Sequence, residues 1–512
     1  MSPPSSFPPS PTAGTDAAAP SVDAEQALAL RHLAAHTPVV TELGEVFAAA
    51  GAELALVGGS VRDALLRRSA TSAPHSSDDW SDDWSNDWSN DWDFATSAPP
   101  DVTKALLERW ADATWDVGRA YGTIGARKGD AHVEVTTYRS DVYDPASRKP
   151  AVAYGDSLTG DLSRRDFTVN AMALTVPSGR FTDPFDGRTD LASGTLRTPV
   201  SPEQSFSDDP LRMLRAARFA AQLGFTPVAE VFEAVAAMAE RITIVSAERV
   251  RLELEKLILA PDPLRGLRLL VDTGLAEYVL PELPALRLER DEHHRHKDVY
   301  EHTLTVLEQA MDLEHRLGGG PDLVSRLAAL MHDVGKPRTR RFAEDGSVTF
   351  HHHDVVGAKL TRKRLRALRF PGDIVDDVAG LVGLHLRFHG YGTGEWTDAA
   401  VRRYVRDAGP LLSRLHVLTR ADSTTRNQRK ATRLRRAYDE LEERIDRLAA
   451  QEQLDSRRPD LDGNQIMELL GIGPSRDVGQ AYEFLLERRV EEGPLGVERA
   501  SAELLAWWSA RT

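Results

Sequence analysis

The stretch Leu54-Ala-Leu-Val-Gly-Gly-Ser-Val-Arg-Asp63 decides the fold of the first part of the chain. Its apolar start, Leu54–Val57, is typical of a buried strand, and a helical pattern follows over Val61–Arg67. Two glycines between them let the backbone approach a ligand closely, and the N-terminus of a helix favours an anion. An ordinary strand-to-helix turn has the same pattern. We predict a triphosphate-binding turn formed by Gly58, Gly59, Ser60 and Arg62.

A second stretch, Asp91-Trp-Asp-Phe-Ala-Thr96, carries two carboxylates at positions i and i+2. On a strand this spacing points both side chains to one face, which suits a pair of hard divalent cations. Two Mg²⁺ ions can lower the pKa of an attacking hydroxyl and neutralise charge on a transferring phosphoryl group. We therefore predict that Asp91 and Asp93 are catalytic and bind Mg²⁺.

Four tandem tetrapeptides run from Ser77-Asp-Asp-Trp80 to Ser89-Asn-Asp-Trp92. The last one contains Asp91 and is followed directly by Asp93. A four-residue period is far shorter than the repeats that build solenoids or propellers, so residues 69–90 are interpreted as a low-complexity insertion. Only the last copy is completed to Asp-x-Asp. The aspartates of the earlier copies are expected to be dispensable: Asp78, Asp79, Asp82, Asp83 and Asp87.

Composition narrows the class of protein. The 512 residues are enough for three to four domains of roughly 150 residues. The absence of cysteine excludes disulfide scaffolds, Cys-ligated zinc fingers, iron–sulfur sites and thiolate nucleophiles. Lys and Arg total 63 against 78 Asp and Glu, and the net charge of −15 by itself disfavours nucleic acid as a partner. Because we find no long apolar run and no secretory signal, we expect a cytoplasmic protein without a membrane partner.

The hydrophobic pattern is mixed α/β up to about residue 200, and strand signals nearly vanish after Pro210. Four successive helices are predicted there, over Leu211–Leu223, Val228–Glu240, Ala247–Leu259 and Pro263–Thr273. The predicted fold class is therefore α+β, with a small mixed-sheet head followed by an all-α body.

Together, the glycine turn and the carboxylate pair resemble the class II tRNA nucleotidyltransferase and bacterial poly(A) polymerase family. Leu162-Ser-Arg-Arg-Asp-Phe-Thr-Val-Asn-Ala-Met172 is similar to the family's ribose- and phosphate-binding segment, which implicates Arg165 and Asp166. Asp208-Asp-Pro-Leu-Arg-Met-Leu-Arg215 is similar to its base-recognition segment, with Asp208 where the family usually has Glu. The resemblance implies template-independent addition of C, C and A to tRNA 3′ ends from CTP and ATP, with release of pyrophosphate.

Within the last segment, Asp209 and Arg212 have the spacing of neighbours on one helix face. A carboxylate that accepts and a guanidinium that donates can meet the Watson–Crick edge of a base, although a surface ion pair has the same spacing. We predict base recognition, with Arg215 as a further nucleotide-binding residue. Glu134, on the predicted strand Val133–Thr137, is either a third carboxylate or an exposed strand residue. Gly122-Thr123 resembles a mobile loop of the family.

A second set of residues resembles an HD-type phosphohydrolase domain. His302, the pair His332-Asp333 and Asp422 fall on separate predicted helices and can converge as nitrogen and oxygen ligands of a divalent metal of unknown identity. His353 and His385 are candidates for a second metal or a phosphate contact. His351 and His352 are interpreted as surface residues.

Basic residues are clustered despite the acidic balance. Lys359–Arg369 and Arg426–Arg436 each hold six cations and no acid, and Arg212, Arg215 and Arg218 recur every three residues. Such runs are often solvated surface, but in an acidic chain they favour contacts with RNA phosphates. Since we find no RNA-binding aromatic motif, recognition of shape and backbone is expected. The expected partners are therefore tRNA, ATP and CTP.

These observations predict five segments: 1–22, a disordered tail; 23–200, the nucleotidyltransferase head; 201–285, a helical RNA-binding neck; 286–450, the HD-type domain; and 455–512, a C-terminal helical module. Alternatives to CCA addition are poly(A) synthesis and partial CC or A addition. Two others are an HD-type phosphohydrolase acting on RNA ends or nucleotides, and a non-enzymatic protein that interacts through the Asp/Trp repeat. The sequence leaves the oligomeric state open.

Overall fold

A computed structural model describes residues 29–31, 33, 37–70, 91–142, 151–154, 157–288, 299–342, 348–390, 396–424, 428–456, 459–492 and 495–511. The predicted tail at 1–22, nearly all of the insertion at 69–90 and the start of the second basic run lie outside these residues. The chain divides into two compact units, Met1–Pro281 and Glu282–Thr512. The finer division into five segments remains a prediction.

The head is built on a seven-stranded mixed sheet with the order β3-β4-β5-β2-β1-β8-β9. Its neighbouring strands are antiparallel except β2 and β5, which are parallel. A separate antiparallel pair is formed by β6 and β7. The strands are β1 (Leu54–Val57), β2 (Asp91–Thr96), β3 (Ala113–Trp115), β4 (Thr123–Lys128), β5 (Ala131–Thr137), β6 (Arg139–Val142), β7 (Ala151–Tyr154), β8 (Ala173–Val176) and β9 (Arg180–Thr182). The predicted mixed-sheet head is confirmed.

Alternation along β2 and β5 gives the sheet one buried face and one open face. On β2, Trp92 and Phe94 are buried, whereas the intervening acids are exposed. Val133 and Val135 of β5 are likewise buried. Because successive strand residues point to opposite faces, the apolar core forms on one side and the polar residues collect on the other.

Helices of the head pack on this sheet, and the site turn joins a strand to one of them. They are α1 (Pro38–Ala49), α2 (Gly59–Ala70), α3 (Pro100–Trp110), α4 (Leu158–Ser163) and α5 (Gly187–Ser193). Helix α2 begins at Gly59, two residues before the apolar pattern does, since Gly58 turns the chain with φ of +75°. That conformation is readily adopted only by glycine.

Six helices follow the head, and four of them agree with the predicted ones within two residues at each end. They are α6 (Pro202–Asp208), α7 (Leu211–Leu223), α8 (Ala229–Met238), α9 (Ala247–Ile258), α10 (Pro263–Asp272) and α11 (Ala276–Val279). A short parallel pair, β10 (Thr195–Leu196) with β11 (Thr226–Pro227), connects them to the end of the head. Helix α10 packs on α7 through Gly266, where a Cβ atom would lie 2.6 Å from the carbonyl oxygen of Ala217.

The described residues of the second unit are helical apart from one small antiparallel pair, β12 (Arg341–Phe342) with β13 (Val348–Thr349). Its helices are α12 (Val299–Asp312), α13 (Leu323–Met331), α14 (Lys336–Thr339), α15 (His353–Ala367), α16 (Gly372–Leu384), α17 (Asp398–Ala408), α18 (Leu412–Asp422), α19 (Gln428–Ser456), α20 (Gly463–Leu470), α21 (Arg476–Glu492) and α22 (Val497–Ser509). The predicted helical body is thus confirmed. Among the described residues, none of the helices combines the length and apolar character needed to cross a bilayer.

Candidate nucleotidyl-transfer and metal sites

Three carboxylates share the open face of the head sheet. Asp91 and Asp93 lie two residues apart on β2, and Asp93 is directly opposite Glu134 in the parallel pair with β5. All three side chains are exposed on this face. The register thus brings Glu134 beside the carboxylate pair, and its role as a third metal ligand remains a prediction.

Electrostatics within this group favour a bound cation. Partial desolvation raises the pKa of Asp93 against the opposing charges of Arg165 and Arg215, and the charge of Asp91 adds to the rise. Desolvation and the charges of Asp93 and Asp91 raise the pKa of Glu134 as well. A divalent cation would relieve this repulsion, and carboxylate oxygens are the ligands that Mg²⁺ prefers. The donor set therefore fits a magnesium site.

The glycine turn lies against this carboxylate group. A Cβ atom on Gly58 would be 3.2 Å from Nη1 of Arg165 and 3.8 Å from Oδ2 of Asp93. Arg165 forms an ion pair with Asp161, with 3.5 Å between Nη2 and Oδ2. The backbone at the start of α2, including Ser60, therefore lies beside both a cation and the proposed metal ligands, as a phosphate cradle requires.

A buried chain of polar side chains connects two of the predicted nucleotide-binding segments. Nη1 of Arg62 donates to Oδ1 of Asn170 at 2.7 Å, and Nδ2 of Asn170 donates to Oδ1 of Asp166 at 3.0 Å. Asp166 in turn pairs with Arg215 at 2.6 Å. Arg62 also pairs with the adjacent Asp63 at 2.7 Å, so this guanidinium is held in place rather than pointing freely at a ligand.

Within this group of connected side chains, ion pairing shifts the pKa values more than burial does. Burial alone would raise the pKa of Asp166, but Arg215, Asn170 and Arg212 hold it well below its usual range. The charge of Asp166 raises the pKa of Arg215, and this effect is larger than the lowering caused by burial. The pair is therefore fully ionised over the physiological pH range.

The base-recognition segment differs from its predicted local geometry. Asp209 is not on the helix that carries Arg212, because it follows α6 in extended conformation, with Pro210 between it and α7. It pairs with Arg249 at 2.8 Å rather than with Arg212. Arg212 is buried and donates to the hydroxyl of Ser205 at 2.9 Å and to the carbonyl oxygen of Arg164. The predicted shared helix face is thus wrong, since proline starts the helix after Asp209.

The arginine series on α7 does not form an RNA-facing row. Arg212 and Arg218 are buried, and Arg215 is occupied by Asp166. Nε of Arg218 lies 2.7 Å from Oε2 of Glu253 on α9. Burial lowers the pKa of Arg218 to about 10, despite the opposing charge of Glu253. The prediction of phosphate contacts by this series is corrected, because its guanidinium groups bind partners within the protein.

In the second unit, six side chains converge from five segments of the chain. Nε2 of His302 is 3.0 Å from Oδ1 of Asp422, and Nε2 of His332 is 3.2 Å from Oδ2 of Asp333. Nε2 of His353 lies 3.3 Å from Oδ1 of Asp333. The nitrogens of His353 and His385 are 3.3 Å apart. Ligand atoms lie within 4.8 Å of one another in each of two groups: His302, His332 and Asp422, and Asp333, His353 and His385.

Backbone carbonyls orient the imidazoles of this cluster. Nδ1 of His332, His353 and His385 each donates to the carbonyl oxygen three residues earlier, at 2.7 to 2.8 Å. With Nδ1 donating in this way, each Nε2 points into the cluster and offers a lone pair to a metal once it is deprotonated. Nε2 of His332 is buried and makes no hydrogen bond. Such a preorganised, unsatisfied nitrogen fits a metal ligand.

The carboxylates give the cluster a negative potential. Burial alone would lower the pKa of His332, but Asp333 and Asp422 raise it to about 9. His385 experiences the opposite effect, since burial and the charge of His332 lower its pKa to about 4. The arrangement can hold a divalent metal. His351 and His352 are exposed, as predicted.

Two polar residues of these sites were missed by sequence reasoning. Asn170 links Arg62 to Asp166, and Lys336 lies 2.9 Å from Asp333. Asn170 lies four residues after Asp166, and Lys336 lies three residues after Asp333, so both are inside segments that the sequence had already singled out. Their spacing alone carries no chemical signal, since an isolated Asn or Lys is usually a surface residue.

Two arginines of the basic run Lys359–Arg369 form ion pairs with acidic residues outside the run. Arg362 pairs with Asp376 at 3.3 Å, and Arg364 pairs with Glu282 at 2.8 Å.

In the C-terminal module, Trp507 stacks on Phe484 with ring centres 4.9 Å apart. That contact agrees with the packing role expected for this module.

Comparisons with known proteins agree with this architecture. The description "Poly A polymerase head domain" matches residues 54–197, "Probable RNA and SrmB- binding site of polymerase A" matches 224–286, and "HD domain" matches 299–427. The crystal structure of the Bacillus stearothermophilus CCA-adding enzyme in complex with CTP superimposes with a TM-score of 0.54 at 25% identity, covering 93% of this chain and 99% of that one.

Two curated relatives match most of their own length. The A-adding tRNA nucleotidyltransferase of Deinococcus radiodurans is 37% identical over 366 residues, which is 70% of this chain and 80% of the relative. The CC-adding tRNA nucleotidyltransferase of Thermus thermophilus is 36% identical over 365 residues, covering 69% and 78%. On this similarity the chain belongs to the tRNA nucleotidyltransferase family, with a head of the poly(A) polymerase type.

Proposed function

We propose that this protein adds C, C and A, without a template, to the 3′ ends of tRNA from CTP and ATP. The observation that carries the proposal is the meeting of three carboxylates, from β2 and β5, with the glycine turn of α2. The family of the chain, and relatives named as tRNA nucleotidyltransferases, support it. A tRNA substrate also implies a cytoplasmic location.

In the proposed reaction, the terminal 3′-hydroxyl of the RNA attacks the α-phosphate of the nucleotide. The new phosphorus–oxygen bond forms as the bond to pyrophosphate breaks, and the hydroxyl proton is lost to solvent. Mg²⁺ bound by Asp91 and Asp93 would lower the pKa of the hydroxyl and neutralise phosphoryl charge. Glu134 is a third candidate ligand beside them.

The chain's own residues hold the nucleotide. Backbone amides of Gly58 and Gly59 and the hydroxyl of Ser60 bind the triphosphate at the N-terminus of α2. Arg62 orients this helix through Asn170. Arg165 contacts a phosphate of the nucleotide, and Asp166 contacts the ribose. Arg215 holds the carboxylate of Asp166 in place. Asp209 and Arg212 contact the base. The base contact requires Asp209 and Arg212 to exchange part of their present hydrogen bonds.

The first experiment defines the added sequence. Purified protein is given tRNAs that lack one, two or three terminal nucleotides, with CTP and ATP together or singly, and the products are sequenced. Complete CCA ends support the proposal. The names of the two relatives make addition of A alone or of CC alone the main competing results. Homopolymeric A tails, or inertness toward CTP, would overturn it.

The second experiment tests the metal ligands. Asp93→Asn is expected to lower nucleotide incorporation at least about 100-fold, since bound metal supplies several kcal/mol of transition-state stabilisation. A matched control is Asp87→Asn, which alters the aspartate of an earlier copy of the same repeat. Equal loss in both variants would contradict the assignment.

A second activity is supported by the cluster in the other unit. His302, His332, Asp333 and Asp422 meet at ligand distances, with His353 and His385 beside them. We propose a divalent metal there and hydrolysis of phosphoesters at RNA ends or in nucleotides. The protein loaded with Mn²⁺, Ni²⁺ or Mg²⁺ is tested on 2′,3′-cyclic phosphodiesters. Activity lost in His332→Ala supports the proposal, and no turnover with any metal contradicts it.

RNA contacts are proposed for the basic surfaces of the second unit. Helix α15 presents Lys359, Lys363 and Arg366 besides its two ion-paired arginines, and α19 carries Arg433, Arg435 and Arg436 near its start. Neutralising phosphates releases counterions, so tRNA affinity should fall steeply with salt. Replacing two of these cations with Gln should reduce the slope of that dependence by about two.

A further inference from the structure

A half-buried tryptophan lies in the same row of side chains as the three carboxylates. Trp115 on β3 is the registered partner of Gly125 on β4. Gly125 is in turn opposite Glu134 on β5, and Glu134 is opposite Asp93 on β2. Residues paired across strands point to the same face of a sheet. Trp115 is therefore on the open face that carries the carboxylates.

The indole lies over the glycine, toward the carboxylates. A Cβ atom on Gly125 would be 2.0 Å from Nε1 of Trp115 and 2.2 Å from Cε2, so the ring occupies the space of a side chain at that position. Gly125 is buried for this reason, although its neighbours in the row, Glu134 and Asp93, are exposed. The ring of His132 is close by, with 6.4 Å between ring centres.

This placement is on the opposite side of Asp93 from the glycine turn. Strand β1, which is followed directly by Gly58, flanks β2 on one edge, whereas β5, β4 and β3 follow on the other. In phosphoryl transfer the attacking and leaving oxygens are roughly in line. If pyrophosphate leaves beside Gly58, the attacking RNA end must enter over Glu134 and Gly125.

Distance and charge agree with an RNA end on that side. Neighbouring strands are about 4.8 Å apart, so a ring above β4 is about 10 Å from β2. That separation is comparable with the length of one nucleotide. Arg127, in the adjacent row with His132 and Asp91, is exposed. Its guanidinium has no ion-pair partner among the described residues and is available to a backbone phosphate.

We propose that the indole of Trp115 is a stacking platform for the 3′-terminal base of the acceptor RNA. The proposal rests on the nucleotidyl transfer argued above. Stacking on an aromatic ring is tolerant of base identity, because every base has a π face. The platform would therefore accept a tRNA end at each successive stage of addition, while other residues select the incoming nucleotide.

The test separates acceptor binding from nucleotide binding. Trp115→Leu keeps an apolar side chain but removes the π face, and Trp115→Phe retains a ring. We expect Leu to raise the KM for acceptor tRNA about tenfold, the effect of losing one base–aromatic stack, and Phe to raise it less than about threefold. The KM for CTP and ATP should stay within about twofold of wild type.

A binding measurement makes the result independent of catalysis. An acceptor RNA whose last base is 2-aminopurine is titrated with protein without nucleotides, and quenching of its fluorescence reports stacking. Quenching should be strong for wild type and Trp115→Phe and weak for Trp115→Leu. Gly125→Ala should weaken it as well, because its methyl group displaces the indole. Val102→Ala, at an exposed apolar residue of α3, is the matched control and should behave as wild type.

Two results would overturn the platform: unchanged quenching and unchanged acceptor KM in Trp115→Leu, or an equal rise of the KM for nucleotide. Thermal unfolding identifies a variant that fails to fold, and Gly125→Ala then carries the test. Failure of wild type to extend any tRNA would count against the proposed function instead, since quenching by the wild type does not require turnover.

Discussion

At the scale of single residues, Asp93 combines two unfavourable conditions. Its carboxylate is partly desolvated and next to Asp91, and both effects raise its pKa. A carboxylate with a raised pKa in the folded state binds its proton more readily there than in the unfolded chain. Folding therefore becomes less favourable as pH rises from the unfolded pKa, near 3.9, through the folded pKa. The unfavourable contribution is complete above the folded pKa.

We expect Asp93→Asn to raise the melting temperature of the metal-free protein at about pH 7, because it removes this charge. The advantage should shrink as pH falls toward about 4, and Mg²⁺ should stabilise the wild type more than the variant. Thermal unfolding by circular dichroism, in EDTA and in Mg²⁺, measures both effects. Asp78→Asn is the control. A variant less stable than wild type at neutral pH in EDTA would contradict the prediction.

Asn170 is a second residue whose importance comes from its partners. Its amide satisfies Arg62 on one side and Asp166 on the other. Asn170→Ala leaves buried polar groups without these hydrogen bonds, which costs about 1–3 kcal/mol of unfolding free energy. The KM for CTP and ATP should rise, whereas the affinity for tRNA should not change. Urea unfolding and initial-rate kinetics measure the two effects, and an unchanged nucleotide KM would argue against the link.

At the scale of elements, helices α7 and α9 are joined by a buried ion pair. Arg218 and Glu253 have almost no solvent contact, and their charged atoms are 2.7 Å apart. Breaking such a pair leaves an uncompensated buried charge, whereas replacing both members with apolar residues is often neutral.

Glu253→Leu is expected to lower the free energy of unfolding by about 3–5 kcal/mol. The double variant with Arg218→Met should recover most of that loss. Tight tRNA binding should survive in the double variant, because Arg218 faces the interior rather than a phosphate. Denaturant unfolding and a filter-binding assay provide the readouts. Loss of tRNA affinity in a stable double variant would restore an RNA-contacting role for Arg218.

Strand β2 gives a second prediction at this scale. Its pairing with β5 starts at Asp91 and its pairing with β1 starts at Phe94, so the registered contacts of the strand do not involve residues before Asp91. Deleting Ser77–Asn90 spares Asp91 and Asp93 and should leave nucleotide incorporation within about twofold of wild type, since inserted loop length has a small energetic effect. Loss of incorporation in a folded deletion variant would assign a role to the Asp/Trp repeat.

At the scale of the whole molecule, the two candidate sites belong to different compact units. Divalent metal that binds the histidine cluster should stabilise only the unit that contains it. At a concentration 100 times Kd, binding adds about 2.7 kcal/mol, or a shift of about 5–10 °C for a unit of this size.

Differential scanning calorimetry with and without Mn²⁺ measures that shift. We expect it in the wild type and in Asp93→Asn, and we expect its absence in His332→Ala, which lacks a central ligand. Nucleotide incorporation should show the reverse pattern, lost in Asp93→Asn and retained in His332→Ala. Loss of both properties in either single variant would contradict separate sites.

Sequence by itself determined the local features of this protein. The strand, glycine turn and helix around Gly58, the Asp-x-Asp strand and the helices after Pro210 follow from periodicity and backbone preference between near neighbours. The residues of the histidine cluster were also identified correctly as a converging group. The strand, turn and helix signals depend on residues a few positions apart, whereas the histidine cluster spans residues 302–422 and was identified through its resemblance to an HD-type domain.

Only the tertiary structure decided which distant groups meet. The parallel register of β2 with β5 aligned Glu134 with Asp93, and a one-residue slip would have turned it to the other face. Burial turned Arg212 and Arg218 inward, although their spacing resembled a phosphate-binding row. The antiparallel register of β3 with β4 placed Trp115 on Gly125, in the same row as the carboxylates. A buried charge requires a partner, and only the packed chain determines which partner is within reach.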